Sequence, residues 1–156
     1  MMYHASVPVF RHYLSRISEM VEAAGPEALN ARIADAFPAS QQFATAAGFA
    51  LRIACPLAGR EVPDLPQALG PRLAVARAML GGMAPADFDG AEARIIRHRA
   101  GFADLEQTGA DFLHLYGLPN FFFHLTMGYA ALRLAGVPLG KADFDGFHSY
   151  PADFQF

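Results

Sequence analysis

Leu118-Pro119-Asn120-Phe121-Phe122-Phe123-His124-Leu125-Thr126-Met127-Gly128-Tyr129-Ala130-Ala131-Leu132-Arg133-Leu134-Ala135-Gly136 reads as one helix, and the fold follows from that reading. Pro119 suits the first helical position, where its fixed φ helps and its missing N–H was unpaired anyway. Gly136 suits the C-terminal stop, and Pro138 forbids continuation. The interior is apolar nearly all round, which predicts burial on most sides. Asn120 and His124 interrupt it; four residues apart, they project from one face about a turn apart. They are read as a hydrogen-bonded polar pair in the core, lining a residual pocket, with Phe121 and Met127 as further lining candidates. Plain core packing competes with the pocket for the phenylalanine run.

Working outward, 156 residues suit a single domain over 1–156 with a real core. The hydrophobic share is 53% and the charged share 17%, more apolar than an ordinary soluble domain. A thick core and surface hidden in a homodimer would both account for it. A net charge of -3 offers nucleic acid no electrostatic footprint. The single cysteine, Cys55, excludes an internal disulfide framework and fits a reducing cytoplasm. The N-terminus has no basic stretch followed by an apolar run, so no signal peptide is expected. Phe112 to Leu132 carries no formal charge and is long enough to span a bilayer. Gly117, Pro119, Asn120 and His124 within it would leave polar groups facing lipid, so no membrane span is expected.

Before that stretch, Ser6 reads as the N-cap of a first helix with Pro8 in its first turn. Phe10, Tyr13, Leu14, Ile17, Met20 and Val21 follow helical spacing, and Gly25-Pro26 ends the run. His12 falls towards its polar side and reads as a solvated surface residue. A second, alanine-rich helix spans about Ser40 to Ala58, and a third about Leu65 to Leu80, with Gly81-Gly82 as its stop. Ala93–His98 and Phe102–Leu105 flank Arg99-Ala100-Gly101 as a short β-hairpin. Its basic cluster, Arg94, Arg97, His98 and Arg99, reads as solvated rather than anion-binding. Thr108 caps a short helix through Tyr116 that Gly117 ends. The tail beyond Gly136 is irregular, but Phe144, Phe147, Tyr150, Phe154 and Phe156 predict that it packs along the bundle or across a subunit interface. The sum is an all-α four-helix bundle with a short hairpin before the last long helix.

A catalytic metal site needs three protein ligands and an open position. His4, His12, His98, His114 and His124 are candidates, but no two share a helix at the i, i+4 spacing and no His-Glu-x-x-His occurs. Asn120 with His124 has that spacing, yet an amide is a poor transition-metal ligand. Cys55, beside Pro56 on an apolar helix, reads as a small core residue. No Gly-rich phosphate loop occurs, and no carboxylate pair lies on a core-facing stripe.

Several strings carry a family resemblance: Ala5-Ser6-Val7-Pro8-Val9-Phe10, Phe37-Pro38, Leu57-Ala58-Gly59, Phe88-Asp89-Gly90-Ala91-Glu92, Leu118-Pro119-Asn120-Phe121 with Phe123-His124, and Gly136-Val137-Pro138-Leu139-Gly140-Lys141. Over nearly the whole chain they resemble an uncharacterised bacterial domain-of-unknown-function family grouped with the DinB-like and YfiT-like superfamily. The resemblance implies a four-helix bundle, often dimeric. It also implies, in many relatives, a divalent metal held by one histidine of the second helix and two from a His-x-x-x-His on the last; some of these are thiol transferases or isomerases. Here the last-helix pair is Asn120 and His124, and an ungapped count puts the second-helix position on or near Phe49, which joins the pocket-lining candidates.

The expectation is therefore a DinB-like bundle with a degenerate metal site: cytoplasmic, homodimeric, with no cofactor and no metal expected. Its role would be to bind a small apolar ligand or to take part in an interaction. The alternative is a metal-dependent transferase or isomerase using His124 and a second imidazole such as His114.

Overall fold

Helix α1 occupies Met2–Ala28 in the computed structural model of the chain, which describes residues 2–154. It starts before Ser6: that hydroxyl, instead of capping, donates back to the Met2 carbonyl at 2.6 Å. Pro8 thus sits inside the helix, while Gly25 kinks it at φ 70. Helix α2 is Ala39–Leu57 and α3 is Leu69–Gly81, close to the expected bounds. A 3-10 turn, Pro85–Phe88, leads into strands β1 (Ile95–Ala100) and β2 (Ala103–Thr108), paired antiparallel from Ile95 opposite Thr108 to Ala100 opposite Ala103.

The Thr108 cap is present, its Oγ1 accepting from the Asp111 N–H at 3.2 Å. The expected break at Gly117 is not. Helix α4 (Gly109–Asp111) passes through a π-helical turn, Phe112–Gly117, straight into α5, Leu118–Leu134. Gly117 is itself helical, with φ -65 and ψ -62. Its value is closeness: a Cβ there would sit 2.9 Å from the Ile53 side chain. The widened turn carries the chain into Pro119, which has no N–H to give to the ladder. After Gly136 a short α6, Lys141–Asp145, replaces the expected irregular course and packs on α1.

Helices α1, α2, α3 and α5 form the bundle. The most deeply buried of them, α2, touches the other three. Its fully buried residues include Phe43, Ala46, Leu51 and Ile53, and α5 lays Phe121, Leu125 and Leu132 into the same core. At Gly128 the Phe43 ring comes so near that a Cβ would lie 2.5 Å from it. Burial of α5 is one-sided, contrary to its apolar perimeter. Phe123 is 56% exposed and Leu134 70%, because no other helix covers that side. The tail aromatics divide. Phe144 packs edge-on to Tyr129 and near Tyr13, and Phe147 stacks on His12, while Tyr150 and Phe154 stack on each other near the surface. Phe156 lies outside the described residues. No helix among the described residues is long and apolar enough to cross a membrane.

Candidate functional site: the seam between α2 and α5

His124 reaches from α5 across to α2, where it meets Gln42 rather than Asn120. Its Nδ1–H donates to Gln42 Oε1 at 2.7 Å. Gln42 is buried, at 2% exposure, so this bond satisfies a polar group that water cannot reach. With the hydrogen on Nδ1, the lone pair is on Nε2. Burial, reinforced by the positive charge of Arg52, pushes His124 below its ordinary 6.5, so the neutral ring is favoured.

Asn120 turns the other way. Its Nδ2 donates to the Tyr116 carbonyl one turn back, at 2.7 Å. The expected Asn120–His124 pair thus shares a face without sharing a bond. That carbonyl lies near the end of the π-helical turn, so the amide ties the start of α5 back to it.

Phe49, on α2, faces His124 across the seam. Its ring stacks on His124 at 5.5 Å and 22°. Arg52, three residues on, lays its guanidinium over the other part of this cluster, 4.6 Å from the Phe49 centroid. The same group donates to Tyr116 Oη and the Arg99 carbonyl, both at 3.4 Å. The other two lining candidates lie elsewhere: Phe121 is fully buried against Phe10, ring centroids 4.9 Å apart, and Met127 is half-buried.

The hairpin closes one end of the cluster. His98 packs on Tyr116 at 4.4 Å and on Phe112 at 4.7 Å, and its Nε2–H donates to Gln107 Oε1 at 2.7 Å. Its buried Nδ1 has no partner. The rest of the basic cluster is consumed locally. Arg94 turns inward to the Leu57 carbonyl, Arg97 pairs with Glu106 at 2.8 Å, and Arg99 lies 3.6 Å from Asp104. His12 is not a free surface group either; its Nε2–H donates to the Asp145 carbonyl at 2.6 Å. His114 is exposed and bonded to the Ala110 carbonyl at 2.9 Å. Cys55 is fully buried, which pushes its thiol up.

Gln42 and Arg52 were the residues that spacing alone passed over. Gln42 lies seven before Phe49, two turns along the same face, and is a polar break in an otherwise apolar stripe. That is the same signal that singled out Asn120 and His124.

A metal would need donors that this seam lacks. It offers one imidazole, two amides already hydrogen-bonded, and a phenyl ring. Among the described residues no three His, Cys, Asp or Glu side chains converge.

The bundle with its hairpin matches a family model and a solved structure over nearly the full length. The family model described as a domain of unknown function, DUF1993, covers residues 2–145. The chain belongs to that family. It is similar in structure to a DinB family member protein from Shewanella denitrificans, with a TM-score of 0.85 and 28% identity over 97% of this chain and 96% of that one. No curated protein matches it. The DUF1993 chain is thus a DinB-like helical bundle, as its strings around Pro119 and Gly136 implied.

Proposed function

We propose that this DUF1993 protein is a metal-independent small-molecule-binding bundle whose site is the seam around His124. The observation that carries the reading is the Gln42–His124 bond of 2.7 Å. It holds one neutral imidazole in a fixed orientation, leaves Nε2 as an acceptor, and commits a buried amide to nothing else. The stacking of Phe49 on that ring favours the reading that a phenyl group stands in place of a second imidazole. The surroundings favour a small organic acid: beside the Phe49–His124 stack, Arg52 and Tyr116 supply a cation and a hydroxyl. The shared core favours a single domain over 1–156, and the uncovered Phe123 and Leu134 on α5 favour a homodimer. A lone buried cysteine favours a reducing cytoplasm, and the likeness to the Shewanella protein favours a bacterial source. The metal-dependent transferase reading is not favoured, since His114 is exposed and occupied by a backbone carbonyl.

The test is a titration with benzoate, followed by the ring signals of His124 and the guanidinium signals of Arg52 in NMR. Both sets are expected to move together and saturate. R52Q should weaken binding about tenfold, the worth of one charge-assisted hydrogen bond. Benzoate that moves neither set, or that binds R52Q and H124F as well as the parent, would refute the assignment.

A further inference from the structure

Across the bundle from that seam, α1 and α3 enclose an open groove of about 640 Å³. Arg11 comes to it from α1 and Arg77 from α3. Both are exposed, and neither has a hydrogen-bond or ion-pair partner among the described residues. This sets them apart from Arg60, Arg97 and Arg99, each of which faces a carboxylate within 4 Å. No Asp or Glu lines the groove. Ser15, one turn beyond Arg11 on the same face of α1, adds a hydroxyl with no partner among the described residues. His12 is held at the edge by its bond to the Asp145 carbonyl. Pro8 and Ala74 supply short apolar walls that leave room between the two helices.

We infer that this groove binds the dianion of an organic phosphomonoester. Two guanidiniums converging from separate helices suit a phosphoryl group, which accepts their paired N–H donors on several oxygens. No carboxylate of the groove competes for these two cations, so an incoming anion meets both unmatched. The volume is of the size that takes a whole small organic molecule, far beyond what a bare phosphate ion fills. The apolar walls would hold that organic part.

Isothermal titration calorimetry with phenyl phosphate, inorganic phosphate and sulfate at one ionic strength tests this. Phenyl phosphate is expected to bind most tightly, and its affinity to fall as salt is raised. R11Q and R77Q should each weaken it about tenfold or more. Both arginines are exposed, so each variant should melt at the parent temperature, which a thermal scan verifies. Absence of binding by the parent chain would overturn the proposal. Equal affinity for phenyl phosphate and sulfate, or unchanged affinity in both variants, would overturn it as well.

Discussion

The α2–α5 seam and the α1–α3 groove use similar polar groups in opposite ways. In the seam nearly every polar group is matched inside the protein. Gln42 serves His124, Asn120 serves a backbone carbonyl, and Arg52 divides between Tyr116 and Arg99. The groove holds two arginines and a serine with no partner of their own among the described residues. The difference follows from burial. In the seam, desolvation makes an unmatched group costly, so partners must be built in. At the surface water serves, and a cation can stay unmatched until a ligand arrives. Stability should therefore be sensitive to the buried seam and indifferent to the groove, where R11Q and R77Q should leave the melting temperature unchanged; four further perturbations grade the buried interior against an exposed pair.

The largest effect belongs to the apolar core beside the seam. Phe121→Ala removes a fully buried ring packed on Phe10, and should cost about 3–5 kcal/mol in urea unfolding. Gln42→Leu comes next. It strands the His124 Nδ1–H and should cost about 1–3 kcal/mol, most of which the double variant Gln42→Leu/His124→Phe should restore, because an apolar pair leaves nothing unmatched. A loss that persists undiminished in the double variant would mean that the bond is incidental and only the shape of Gln42 matters.

Acidification gives a smaller effect of known sign. Burial, then the Arg52 charge, hold His124 below 6.5 in the folded state. The unfolded chain therefore takes up its proton first. The stability is intact above about pH 6.5 and is lost as pH falls from there through the lower folded pKa. Unfolding curves between neutral pH and pH 5 should show this slope in the parent, flattened in the double variant. Asp145 does not blur that window. The Phe147 N–H, acting with the His148 N–H and ring against burial, holds its carboxyl at about 2, so its contribution fades only at more acid pH. At the small end, Arg97→Gln breaks an exposed pair and should change stability by no more than about 0.5 kcal/mol.

The contrast also explains what was legible in the sequence. Helices α2 and α3 and the hairpin followed from apolar spacing and from Gly and Pro punctuation, because those signals act locally. Gly117 misled for the opposite reason. A glycine before Pro119 looks like a stop, but its role is tertiary, to let Ile53 approach within 2.9 Å of where a Cβ would be. The early start of α1 was hidden because Ser6 resembles a cap and instead bonds the preceding turn. In the seam, spacing singled out His124 and the family count Phe49, whereas Gln42 was passed over because its partner lies 82 residues away in the chain. Neither spacing nor composition shows which polar groups are mutually satisfied. That is settled by how α2 and α5 are set against each other, and it is also why the apolar outline of α5 overstated its burial.

Elemental analysis of the chain purified without chelator, followed by thermal unfolding with added zinc, tests the metal-free seam most directly. The account predicts metal far below one equivalent per chain and an unfolding temperature that zinc does not raise. Close to one metal per chain, with a stabilisation that grows with zinc concentration and disappears in His124→Phe, would contradict it.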